Sequence, residues 1–174
     1  TDWSVGLLGG NATLVGNGLL PSVTIDDGDT TPDLYSTSRS AVFSHPDRTK
    51  NRLAQATLNF SQQLAAGGRL QALVYARNSQ RDTVNGDGAE DFDPLEPDIN
   101  AALNTTATRQ NAWGLALSLA QRSGAHQWQM GASLDASRVR YQQLEQEGRF
   151  DATRGVLAGD EEPELSASVT GRSL

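Results

Sequence analysis

Carboxylates are the side chains whose spacing could do chemistry in this sequence. Asp26-Asp27-Gly-Asp29 and Asn85-Gly-Asp-Gly-Ala-Glu-Asp-Phe-Asp93 gather oxygen donors in glycine-bearing stretches, a composition that calcium favours. Neither has the spacing of an EF-hand loop, so both read as solvated acidic loops, as does Asp160-Glu-Glu-Pro-Glu164. The two histidines, His45 and His126, are far apart. His126 flanks a turn and His45-Pro46 sits in loop chemistry. A Ser-His-Asp hydrolase would need a frame such as a nucleophile elbow, and the chain has none. Zero cysteines exclude a disulfide scaffold, a thiolate metal site and a cysteine nucleophile. Gly9-Gly10 and Gly16-Asn-Gly18 precede no helical pattern, so no phosphate cradle is expected. Three glycosylation sequons, at Asn11, Asn59 and Asn104, are short enough to recur by chance. The residues point to no catalytic group, no metal site and no cofactor.

Binding is left, and the elements that would position binding residues are strands. Between Asn111 and Tyr141, Trp113, Leu115, Leu117 and Leu119 alternate with Ala112, Gly114, Ala116 and Ser118. After Ser123-Gly124, Trp128, Met130, Ala132, Leu134 and Ala136 alternate with Gln129, Gly131, Ser133, Asp135 and Ser137. A period of two puts each set on one face of a strand. If Ser123-Gly124 is the two-residue loop of a hairpin, Leu119 faces Trp128, Leu117 faces Met130, Leu115 faces Ala132 and Trp113 faces Leu134. An earlier hairpin reads the same way. Ala54, Ala56, Leu58 and Phe60 share one parity, then Leu70, Ala72, Val74 and Ala76 return. A three-residue turn at Ala66-Gly-Gly68 sends these even positions outward; a two-residue turn would reverse the face.

The strands are expected near residues 2–8, 52–64, 69–77, 111–121 and 126–141, separated by long polar segments 9–51, 78–110 and 142–174. Tight turns then lie at one end and long loops at the other. That layout, with strands longer than the usual ~5–6 residues, is the layout of a transmembrane β-barrel, whose strands need ~9–11 tilted residues with one apolar face. The expected class is all-β, antiparallel hairpins forming part of such a barrel, with long extracellular loops. Trp113 and Trp128 would mark the two interfacial girdles, or, in a soluble sheet, cross-strand core residues.

Composition agrees with a thin conventional core. Only 37% of residues are hydrophobic, against roughly 45–50% apolar, glycine included, in ordinary domains. The net charge of −7 argues against nucleic acid. No basic and apolar leader opens the chain and no run is long enough for a transmembrane helix. Without an initiating Met or a closing element, the sequence reads as a piece of a longer protein.

Several segments resemble one family. Leu14-Val-Gly-Asn-Gly-Leu-Leu-Pro21, Arg39 to Leu53, Thr57-Leu-Asn-Phe-Ser61, Asn85 to Phe92 and Glu145-Gln-Glu-Gly-Arg-Phe-Asp151 are similar to the barrel region of TonB-dependent outer-membrane receptors, over roughly Leu14 to Asp151. The resemblance implies a 22-stranded barrel closed by an N-terminal plug in the outer membrane of a Gram-negative bacterium. It implies uptake of a scarce ligand, commonly a ferric siderophore, with energy supplied through TonB. The plug, the TonB-contacting box and the closing C-terminal strand are not in this sequence, so it would supply part of the wall and three outer loops. Its partners would be outer-membrane lipid, an iron chelate or other small ligand, and TonB through the N-terminal region. In such a wall Tyr75, Arg77 and Asp135 would face the lumen and contribute to ligand binding. The alternatives are another outer-membrane barrel, a porin or adhesin, and a soluble extracellular β-sandwich binding carbohydrate or protein.

Overall fold

The computed structural model describes residues 1–16, 44–89 and 100–174. They form a single seven-stranded antiparallel sheet that curls into a half-barrel, with no α-helix among the described residues. The strands are β1 (Asp2–Val15), β2 (Asp47–Gln63), β3 (Arg69–Gly88), β4 (Ala101–Ser123), β5 (His126–Phe150), β6 (Val156–Ala158) and β7 (Glu162–Ser173). Each of β1 to β5 pairs with the next, and β5 then pairs with both β6 and β7.

The alternation read in the sequence sets the two faces. Along one cross-strand row Leu7, Ala56, Ala76, Trp113 and Ala136 lie side by side. The next row on that face holds Val5, Leu58, Val74, Leu115 and Leu134, and the one after it Trp3, Phe60, Ala72, Leu117 and Ala132. The Trp3 and Phe60 rings meet at 4.5 Å between centroids. These side chains are open to the surroundings (Trp113 is 51% exposed and Met130 60%), whereas Ala112 on the opposite face is 7% exposed. The inner face is mixed, since Leu8 and Val169 there are also exposed, at 56% and 65%.

Both hairpins keep the expected faces but shift in register by two residues. The β4–β5 loop is Gly124-Ala125, with Ser123 opposite His126, so Leu119 faces Met130, Leu117 faces Ala132 and Trp113 faces Ala136, not Leu134. Trp128 lies opposite Gln121 rather than Leu119. The reason is the turn. Gly124 has φ +59°, and a turn with positive φ at its first central residue matches the right-handed strand twist when glycine holds that position. The β2–β3 turn is likewise a 3-10 turn at Ala65–Gly67, with Leu64 N–H donating to the Gly68 carbonyl at 2.8 Å, rather than Ala66–Gly68. Gly67 carries the positive φ, +78°. An even shift preserves side-chain parity, which is why the faces survive.

The strands run far beyond the expected bounds. Segments expected as loops are strand as far as Val15, from Asp47, as far as Gly88, from Ala101 and as far as Phe150, and β6 and β7 lie within 142–174. Past the apolar belt both faces turn polar, so the sequence alternation fades while the backbone ladder continues. Side chains help there: Asn78 donates to Asn111 at 2.7 Å and the Thr49 and Thr83 hydroxyls lie 3.3 Å apart. The acidic cluster at Asp26–Asp29, residues 90–93 of the Asn85–Asp93 cluster, residues 17–21 of the segment 14–21 and residues 39–43 of the segment 39–53 lie outside the described residues. No helix among the described residues is long and apolar enough to cross a membrane.

Candidate ligand-facing site on the inner wall

The three residues singled out as lumen-facing share the inner face. Tyr75 and Asp135 stand on β3 and β5, both paired with Gly114 of β4, which separates them. Two strand spacings of ~4.8 Å lie between their backbones. The Tyr75 hydroxyl bridges that gap by donating to Asp135 Oδ1 at 2.7 Å. Gly114 makes the crossing possible: a Cβ there would overlap both the Tyr75 ring and the Asp135 carboxylate. A glycine inside a strand often marks such a close approach, and that was the signal in the sequence that could have found it. Arg77 lies one residue pair further toward the long-strand end, beside Ala112. It has no carboxylate within ion-pair distance among the described residues. The arrangement can orient a polar or anionic group: a carboxylate held by one phenol, with a guanidinium left over for an incoming acceptor.

Above the wall, the segments before β2 and after β5 meet. His45 accepts from Val156 N–H, its own N–H donates to the Arg154 carbonyl, and Gly86 N–H donates to the Pro46 carbonyl. Gly86 allows this crossing, since a Cβ there would sit 2.6 Å from the His45 carbonyl oxygen. Asp151 organises the turn that follows β5. Its Oδ1 accepts from Thr153 N–H and Oγ1, both at 2.7 Å, and from Gly155 N–H at 2.9 Å. These bonds, with His45 nearby, hold the Asp151 carboxyl below its usual pKa. The Arg154 guanidinium lies 4.0 Å over the Phe150 ring. The segments around His45, Gly86 and Asp151–Val156 thus converge in one knot. His45 is part of this backbone junction and His126 pairs with Ser123 beside the turn. Among the described residues no group of histidine and carboxylate side chains is arranged to hold a metal ion.

No family model, curated protein or solved structure matches the chain.

Proposed function

We propose that the chain is part of the wall of an outer-membrane barrel, a TonB-dependent receptor that takes up a scarce small ligand such as a ferric siderophore. One observation supports the membrane reading: across β1 to β5, a belt of exposed Leu, Val, Trp and Met side chains on one face of a curled sheet whose other face is mostly polar, although β7 reverses the pattern, with Arg172 beside Ala136 on the belt face. Burying each such aliphatic side chain is worth about 1.5–3 kcal/mol, and nothing among the described residues covers them. Hydrocarbon would. From Trp113 to Gln121, the partner of Trp128, the belt runs eight residues along β4. That is about 26 Å along the strand and about 20 Å along the axis of a barrel tilted by ~40°, close to the ~25 Å apolar band of outer-membrane barrels.

The receptor identity rests on the segment resemblance. The role of the inner wall rests on Tyr75, Arg77 and Asp135 standing together on the polar face. A porin or adhesin would share the belt; a plug domain in the same polypeptide decides between them. A soluble sandwich would need a second sheet over the belt. The test is circular dichroism of the chain in plain buffer and in detergent micelles. Strand signal that requires micelles supports the wall; cooperative folding of a monomer in buffer supports the sandwich.

A further inference from the structure

A recess opens on the inner wall beyond the Tyr75–Asp135 pair. The inward residues of β1 are Leu8, Gly10, Ala12 and Leu14, so two small residues form a notch between two leucines. A Cβ at Gly10 would meet nothing within 4 Å. From this notch a cavity of about 640 Å³ reaches across β2 and β3 to β4, a size within the roughly 300–1,000 Å³ of small-ligand pockets. β4 lines it with the inward Thr108 and not with the outward Arg109, which places it on the concave side. Two cross-strand rows build it. Asn51, Arg81 and Thr108 stand side by side in one, next to Ala12; Leu53 and Ser79 stand in the other, next to Gly10. The rows are two residues, or about 7 Å, apart. Among the described residues the Asn51 amide, the Arg81 guanidinium and the Thr108 hydroxyl bond no other side chain.

We infer that this recess binds a hydroxylated carboxylate, a sugar acid of the hexuronate type. Arg81 is the one inward charge in its lining, and the planar guanidinium fork matches the two oxygens of a carboxylate. Asn51 offers both a donor and an acceptor, and the Ser79 and Thr108 hydroxyls can play either role, as sugar hydroxyls require. Ser79 donates to Gln110 Oε1 at 3.4 Å, so its oxygen faces the recess as an acceptor. Asn51 and Thr108 flank Arg81 across two strand spacings, about 10 Å, which fits one six-membered ring with a hydrogen bond of ~2.9 Å on each side. Leu53 lies under the C–H face of that ring. The site is separate from Tyr75, which stands six residues, or about 20 Å, away along β3. It deepens the inner-wall reading and rests on it, because a ligand enters only if the concave face is open.

The test titrates the 174-residue chain in dodecylmaltoside micelles with glucuronate, read by ligand-observed NMR. Glucuronate should bind at least about tenfold more tightly than glucose, which lacks the carboxylate, and than acetate, which lacks the ring. Arg81→Gln should weaken glucuronate about 10- to 100-fold, while Arg69→Gln, an inner-face arginine beside the β2–β3 turn, leaves binding within about twofold. Gly10→Leu should fill the notch and abolish binding. Gly9→Leu adds the same side chain to the outer face, where a Cβ also meets nothing within 4 Å, and should leave binding unchanged. Equal effects of the two glycine variants overturn the site, as does equal affinity for glucuronate and acetate or an affinity that Arg81→Gln does not change. A chain that gains strand signal in micelles yet binds no glucuronate overturns the site and leaves the wall reading standing. Failure to gain strand signal overturns the wall reading itself, and the site with it.

Discussion

Tyr75 and Asp135 stand on strands that are not neighbours, and the phenol reaches the carboxylate at 2.7 Å by passing over Gly114. The bond ties β3 to β5 across the concave wall, so the inner face gains a cross-tie that the backbone ladder cannot supply. Replacing Gly114 with Ala places a methyl where the ring and the carboxylate now lie. The expected loss is about 1–3 kcal/mol from overpacking, measured as a shift in the urea midpoint in micelles. Tyr75→Phe removes only the hydroxyl and should cost about 1 kcal/mol. In the Gly114→Ala background that second cost should largely vanish, because the bond is already broken. The proposed ligand-facing role of Tyr75, Arg77 and Asp135 predicts that substituting them in the full-length protein weakens ligand binding; unchanged binding would remove that role.

The hairpin register is testable by cross-linking, because the chain has no cysteine of its own. Ala120 is opposite Gln129. Oxidation of Ala120→Cys with Gln129→Cys should form a disulfide rapidly, whereas Ala120→Cys with Gln127→Cys should form it slowly or not at all. The reverse result would restore the loop at Ser123-Gly124.

Asp151 predicts a pH dependence in the turn above the wall. Hydrogen bonds from Thr153 and Gly155 and the nearby His45 depress its folded pKa, so the stabilisation is present above the ordinary value of about 3.9 and is lost as pH falls through the lower folded value. Protease nicking at 151–155, followed with an acid-active protease, should rise only below about pH 4. Asp151→Asn should nick readily at every pH and show no step.

The Arg109–Asp82 pair is close but partly exposed, with side chains 41% and 37% accessible. A double-mutant cycle should therefore give no more than about 0.2–1 kcal/mol, decreasing with salt. A larger value would mean that the pair is better shielded from solvent than its exposure indicates.

Parity was legible in the sequence because period-two alternation of Leu, Val and Ala against Gln, Ser and Gly is a local pattern. Trp113 and Leu117 therefore share a wall as expected, and Tyr75, Arg77 and Asp135 share the opposite one. Register was not legible, since it depended on which residue of Ser123-Gly124-Ala125 took the positive φ. Strand ends were not legible either. Beyond Asn111 and Arg77, Thr, Asn and Gln occupy both faces, and pairing continues by backbone hydrogen bonds that leave no hydropathy trace. The Tyr75–Gly114–Asp135 crossing needed the register before it could be seen at all.

All three tryptophans, Trp3, Trp113 and Trp128, lie on the outer face, so tryptophan emission reports on that wall alone. The most direct test of the wall is quenching of this emission by brominated lipids in reconstituted vesicles, set beside quenching by aqueous acrylamide. A wall segment predicts blue-shifted emission, strong quenching by bromine on the acyl chains and weak quenching by acrylamide. Efficient acrylamide quenching with no effect of the brominated lipids would contradict it, because the belt from Trp113 to Trp128 would then face water.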